Sequence, residues 1–452
     1  MINLQSPDHP WWQRSKPLAL FLATVSLYAV TIGFDFQLGW DDDIYLLENE
    51  FIRSITFPNI VAIFTGYFLG NYAPLHISSY MVEHAVWGLN PAGYHLTNIL
   101  LHASNGILFY FLLRRLDVTE WRATIAAWIF LAHPVQVETV AWISQRKNLL
   151  AMAFFLLAFL GYDQYRRSGR VAPYLLAAGG MTAAALSKSI AVIFPAAALL
   201  YDLTMPRPVK RTWPMRLLEH VPFILIALAT AVVAMNSQAL DSGGGRRQYH
   251  GGSPLATFFT MVPVLVSYLR DCVWPFALSP FYDIPERLKP DGQFFAAGAF
   301  LVIVLCGGGF LYHRQRELSF WFGFFFISLI PVLQIVPLIT LKNDRYLYFP
   351  LLGFATLATY AGAALLQRMG SWGKVPIYGC LLLLPLLTFR QALPWRNDLT
   401  LWAHAVAVDP GNRQAVSRLI DSYTRRDDLP GALAVSRRYQ EEFYRRQQVS
   451  PP

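Results

Sequence analysis

Asp41, Asp42 and Asp43 follow one another directly after Trp40 and before the apolar run Ile44-Tyr45-Leu46-Leu47. Three adjacent carboxylates at the edge of an apolar segment repel one another. Ser or Asn would serve as well for a solvated stop, so such a run points to a general base or a cation-binding carboxylate facing a substrate. A second acid, Glu138, sits among apolar neighbours in the stretch His133-Pro134 through Asn148, which ends in Arg146-Lys147-Asn148. Lys188 lies between two short apolar runs, and Arg345 stands beside Asp344. Four cations at three separate junctions suit a phosphate pocket, since Arg and Lys recognise phosphate by charge-assisted hydrogen bonds. Lipid headgroup contact and an ion pair between Glu138 and Arg146 are the plainer alternatives. His95 and His102 are two helical turns apart and share a face, with no ligating partner at three or four residues. His102 reads as a hydrogen-bonded helix-packing residue, and His95 as one that reaches the first-loop carboxylates.

These groups must be held by membrane helices. Of 452 residues, 55% are hydrophobic, 15% aromatic and 14% charged, against about 25% charged in soluble domains. Runs near 17–35, 96–113, 122–135, 149–163, 171–187, 189–202, 218–239, 254–273, 293–312, 318–341, 346–366 and 375–390 are apolar enough to span or nearly span a bilayer. The fold class expected is all-α, a polytopic membrane helical bundle. The first run has no small-residue cleavage pattern before Asp41 and reads as a retained span. The net charge of +9 belongs to cytoplasmic loops, so nucleic acid is excluded as a partner. Arg14 and Lys16, then Arg114, Arg115 and Arg122, then Arg166, Arg167 and Arg170, then Arg207, Lys210, Arg211 and Arg216 mark those loops. The alternation continues through Arg314 and Arg368 only if one run fails to cross. The run 254–273, with Pro263 inside and a Pro-rich sequel, is expected along the outer face. Eleven spans then place the N-terminus inside and the C-terminus outside.

Two extracytoplasmic segments result. In 39–97, Pro58 and Pro74 sit where helix first turns prefer proline, and apolar residues recur at near-helical spacing, so two amphipathic helices lying flat on the membrane are expected. The segment 239–293 opens with Gly243-Gly244-Gly245-Arg246-Arg247 and reads as a flexible lid. Charged residues become denser after Arg390, so 1–390 reads as the membrane domain and 391–452 as a soluble helical tail. Leu401, Trp402, Ala405 and Pro410, then Leu419, Tyr423 and Ala432, fit about one and a half tetratricopeptide repeats. Roughly three are needed for a stable solenoid, so the tail is expected to dock on the membrane domain or a partner. Cys272, Cys306 and Cys380 have no ligand-like spacing and read as buried thiols.

Trp40-Asp41-Asp42-Asp43-Ile44-Tyr45 with Asn49, Asn71 and Pro74-Leu75, Gly88-Leu89-Asn90-Pro91-Ala92-Gly93-Tyr94-His95-Leu96 with Asn98 and His102, His133-Pro134 through Asn148, and Asp344-Arg345-Tyr346-Leu347-Tyr348 together resemble a GT-C-type membrane glycosyltransferase. The likeness is to bacterial relatives of the transmembrane-and-tetratricopeptide protein O-mannosyltransferases. It implies a sugar donor on a polyprenyl phosphate, a protein or lipid acceptor at the outer face of a bacterial inner membrane, Asp41 and Asp42 as catalytic acids, and Glu138 as a second. Arg146, Lys147, Lys188 and Arg345 would hold the donor phosphate. Asp43, His95, His102 and Asp344 would line the pocket, and a divalent metal is left open. Two departures stand out: Ala73 where many relatives have His, and a short repeat tail. The rival class is a lipid-linked sugar flippase or transporter. The lack of interrupted inverted repeats and the clustering of polar groups on one side favour an enzyme.

Overall fold

A computed structural model describes residues 11–205, 212–238 and 248–449; the Gly243–Arg247 stretch and Arg207, Lys210 and Arg211 lie outside them. Among the described residues the regular structure is helical, with only an isolated bridge between Phe68 and Asn71. By length and composition eight of these helices can cross a membrane: Ser15–Gly33, Pro91–Arg115, Ile143–Ser168, Trp213–Ser237, Pro254–Val273, Gly292–Arg314, Pro350–Met369 and Lys374–Arg396. The sequence count was eleven. The run 122–135 ends as helix Glu120–Ala132, because Pro134 follows and the residue before a proline is driven out of the helical region. The run 318–341 likewise gives only Arg316–Leu329, followed by a single turn at Ile330–Val332 around Pro331. Val171–Ser187 and Ser189–Thr204 are apolar but short.

Pro91–Arg115, Glu120–Ala132, Arg146–Ser168 and Pro350–Met369 form the interior, where Phe109, Phe130, Phe155, Phe159, Trp321 and Phe324 interlock. Trp213–Ser237, Gly292–Arg314 and Lys374–Ala392 expose most of their apolar side chains, as helices that face lipid do. Cys306 and Cys380 sit on two of these and are exposed, whereas Cys272 alone is buried. Polarity by itself could not separate a lipid-facing thiol from a core one. The C-terminal ends of Pro91–Arg115 and Arg146–Ser168 meet through Arg115 and Asp163 at 3.0 Å. Arg166 is held there by Asp202 at 2.9 Å and Glu219 at 3.0 Å.

At the opposite end, the first loop folds into helices Phe57–Thr65 and Pro74–Trp87, each with proline in its first turn. Ile63, Ile77, Tyr80 and Met81 pack on Tyr45, Leu46 and Tyr94, while Phe57, Val82 and Val86 point outward. The helix Pro254–Val273 is attached at both ends to one connecting segment. His250, just before it, bonds the Leu338 carbonyl at 2.9 Å, and Asp271, near its end, pairs with Lys342 at 2.5 Å.

The tail forms helices Asp398–Val408, Arg413–Thr424 and Leu429–Val449. Trp402, Ala405, Ala415 and Leu419 make a small core of their own against Trp40 and Phe281. His404 bonds the Leu278 carbonyl at 3.0 Å, and Asn412 donates to the Phe281 carbonyl at 3.1 Å.

Close helix approach depends on a few glycines. A Cβ at Gly353 would run into the backbone oxygen of Trp321, whereas one at Gly298, on a lipid-facing helix, would meet nothing within 4 Å. Gly353→Ala should therefore lower stability by about 1–3 kcal/mol, the usual cost of overpacking, and Gly298→Ala should leave it nearly unchanged. Thermal unfolding of the two variants in detergent checks this contrast.

Candidate active site

Asp42 is wholly buried, and both its oxygens are engaged. One accepts the Gln37 backbone N–H at 2.9 Å; the other accepts the Ser144 N–H at 3.1 Å and the Ser144 hydroxyl. It ties the beginning of the first loop to the stretch 143–145. Burial pushes its carboxyl up to about 6, opposed by the bonds from Ser144 and Gln37 and helped by the charge of Asp41. Asp41, next to it, keeps 24% of its side chain exposed and lies 3.5 Å from the Lys147 ammonium. Asp43 turns back to accept the Gly39 N–H at 2.7 Å. The three carboxylates thus divide into one inner staple, one turn-former and one group that faces the open side.

Lys147 also lies over the Tyr45 ring, 4.9 Å from its centroid. Lys188, at the break between Val171–Ser187 and the turn Ser189–Ile193, donates to Asn148 Oδ1 at 2.7 Å. It is close enough to feel repulsion from Lys147 and Arg345 and attraction from Glu138 and Asp41. Arg345 stands over the Trp142 ring at 5.4 Å and pairs with Glu138. Lys147, Lys188 and Arg345 therefore gather around Asp41 and Glu138.

Several expected residues have other places. Arg146 does not join the cations: it is fully buried, donates to Asn98 Oδ1 at 2.9 Å and the Tyr94 carbonyl at 2.7 Å, pairs with Glu83, and lies over the Tyr80 ring at 4.7 Å. Each of its three nitrogens has a protein partner, and the guanidinium is fully buried. Glu138 accepts the Arg345 backbone N–H at 2.7 Å with one oxygen and its guanidinium with the other. It is thus placed to hold Arg345, and its ion-pair partner is not Arg146. His102 packs between helices, 3.0 Å from the Tyr348 hydroxyl and 3.1 Å from the Leu131 carbonyl. His95 is buried edge-on to Phe34. Asp344 accepts the Tyr282 hydroxyl at 2.6 Å; burial, and then the charge of Glu138, raise its carboxyl well above the ordinary range.

Sequence reasoning missed Ser144, Glu83, Tyr282 and Lys342. Each lies far along the chain from its partner, and only Glu83, an acid on an apolar helix, carried a signal. His76 lies on the helix Pro74–Trp87. It is buried against Tyr80 and Tyr45, and burial with Lys147, Arg146 and Lys188 nearby drives its imidazole well below the ordinary range. Among the described residues no group of three His, Cys, Asp or Glu could hold a metal.

No protein-family model matches the chain. It is 39% identical over 95 residues to the protein O-mannosyl-transferase TMTC2 of Mus musculus, covering 21% of this chain and 11% of that protein. It is 26% identical over 186 residues to TMTC4 of Homo sapiens, covering 36% and 24%, and 22% identical over 468 residues to Tmtc3 of Drosophila melanogaster, covering 83% and 50%. The chain is a relative of the protein O-mannosyl-transferases. It matches less than two thirds of the length of each of these relatives. Among solved structures, ArnT from Cupriavidus metallidurans bound to undecaprenyl phosphate aligns at a TM-score of 0.49 and 16% identity, over 94% of this chain and 76% of that one. The Archaeoglobus fulgidus oligosaccharyltransferase in the apo form aligns at 0.42 and 14%, over 96% and 60%.

In this relative of the O-mannosyl-transferases, the raised Asp42 carboxyl sets a pH dependence. The folded chain keeps that proton between the ordinary carboxylate range and about 6, where the unfolded chain has lost it, so stability falls as pH rises through that window. Between pH 4.5 and 7 the wild type should lose on the order of 2 kcal/mol that Asp42→Asn does not lose. The slope of the melting temperature with pH, compared between the two proteins, is the measurement. Parallel slopes would contradict it.

Proposed function

We propose that the chain is an extracytoplasmic glycosyltransferase of GT-C type that moves a sugar from a polyprenyl-phosphate donor to a hydroxyl, on a protein acceptor. The observation that carries this reading is the gathering of Lys147, Lys188 and Arg345 beside the partly exposed Asp41 carboxylate. A phosphate would sit among these three cations; the acceptor would approach Asp41. The O-mannosyl transfer for which the relatives are named agrees with that chemistry.

In this reaction the acceptor hydroxyl gives its proton to the Asp41 carboxylate and its oxygen attacks the anomeric carbon. The bond from that carbon to the phosphate oxygen breaks, and polyprenyl phosphate leaves with its charge held by Lys188, Arg345 and Lys147. A single displacement inverts the anomeric centre. Asp42 keeps the loop in register, Glu138 orients Arg345, and Trp142 backs the guanidinium. Residues 1–390 then act as the membrane domain of a bacterial inner-membrane protein. Pro254–Val273 lies along the outer face, held at both ends by the 335–342 connection, and the tail sits on the same side.

Asp41→Asn should reduce turnover by about 10²–10⁴-fold, the range for loss of a general base, with donor affinity nearly kept. Lys188→Ala and Arg345→Ala should weaken polyprenyl-phosphate binding by roughly 1.5–3 kcal/mol. Single-turnover transfer and equilibrium binding of polyprenyl phosphate separate these effects, and wild-type affinity in both Ala variants would remove the phosphate site. Cysteines placed at the exposed positions Glu48 and Asp421, in a chain lacking Cys306 and Cys380, should react with an impermeant maleimide in intact cells. Labelling of position 421 only after lysis would reverse the assignment of the tail.

A further inference from the structure

The stretch 34–40, which leads into Asp41 and Asp42, forms no helix, and the groups that hold it come largely from the tail and the turn before it. The Asp35 N–H donates to the Arg396 carbonyl at 2.9 Å, and Gln37 Nε2 to the Trp395 carbonyl at 2.7 Å. Arg425 donates to the Leu38 carbonyl at 3.3 Å, and Arg418 donates to the Gly39 carbonyl. Trp40 stacks on Trp142 with centroids 3.8 Å apart and meets Trp402 of the tail at 5.1 Å. Gly39 has φ +73°, a conformation that favours glycine, and a Cβ there would stand 2.6 Å from Arg425 Nη1. On the tail side the arginines are themselves fixed: Asp398, its carboxylate 1% exposed, accepts from Arg425 at 2.7 Å and from Arg426 at 2.6 Å.

We propose that the C-terminal tail is a clamp on the catalytic loop, in which Arg418 and Arg425 are positioning residues. They grip consecutive carbonyls two and three residues before Asp41 and so set the direction in which its carboxylate points. The proposal rests on the reading of Asp41 as the base. It assigns the short tail a task that does not require a peptide-binding solenoid. The tail has separate anchors at Leu278 and Phe281, through His404 and Asn412, so releasing one arginine loosens the loop while the tail stays docked. A misplacement of about 1 Å at a reacting group costs on the order of 100-fold in rate, and the effect falls on turnover because neither arginine belongs to the phosphate site.

The test uses the full chain in lipid nanodiscs, with Arg418→Ala, Arg425→Ala, the two Arg→Lys variants and His404→Ala. Amide hydrogen exchange of peptides covering 35–48 is read beside transfer from a polyprenyl-phosphate-linked sugar. In the Ala variants the amides of Gln37, Gly39 and Asp43 should exchange faster. Their kcat should fall about 10–100-fold with the donor KM within about twofold, and Arg→Lys should restore part of the rate. His404→Ala should change neither. Unchanged exchange at 37–43 in both Ala variants overturns the clamp, as does faster exchange with undiminished kcat, or an equal loss in His404→Ala. A wild-type chain that transfers no sugar would instead count against Asp41 as the base, and the exchange measurements would still decide whether the tail holds the loop.

Discussion

A carboxylate closed off from water needs a donor for each oxygen, and Asp42 meets that need from two directions at once: the Gln37 amide behind it and both donors of Ser144 across from it. That single set of bonds joins the end of the first span to the stretch between the helices Glu120–Ala132 and Arg146–Ser168. Once it is made, Asp41 is turned toward Lys147, Trp40 is laid on Trp142, and Trp142 in turn supports Arg345. The geometry of the candidate site is therefore inherited from one buried residue.

The surrounding charges obey the same rule. In an apolar frame each cation is either neutralised or left where an anion can reach it. Arg146 is neutralised by Glu83 and enclosed between Tyr80 and Tyr94. Arg345 is paired with Glu138 yet keeps part of its side chain exposed, and among the described residues Lys188 has the neutral oxygen of Asn148 as its hydrogen-bond acceptor. These differences separate an enclosed guanidinium from cations that are less fully paired. Asp344 and Asp271, with Lys342 and Tyr282, extend the pairing beneath the Pro254–Val273 helix, which joins that helix to the site's floor.

The tail completes the frame. Its three helices are too few for an independent superhelix, and they are stabilised by what they cover: the Trp40 ring and the carbonyls of Leu38, Gly39, Leu278 and Phe281. The tail is thus packed against the loop that carries the Asp run.

Several features were legible in the residues alone. The apolar runs, the prolines that open Phe57–Thr65 and Pro74–Trp87, the acids after Trp40 and the cations at the loop junctions follow from composition and local spacing. Local rules decide them, because helix starts, hydropathy and charge bias depend on neighbours along the chain. Which Asp is open, which Arg is closed, why Glu138 serves Arg345 and why His102 serves Tyr348 were settled only by tertiary structure. Each depends on a partner tens to hundreds of residues away: 102 between Asp42 and Ser144, 207 between Glu138 and Arg345, 246 between His102 and Tyr348. A charged residue in sequence has only a sign. Whether that sign is cancelled depends on which helix packs beside it, and no local pattern carries that information.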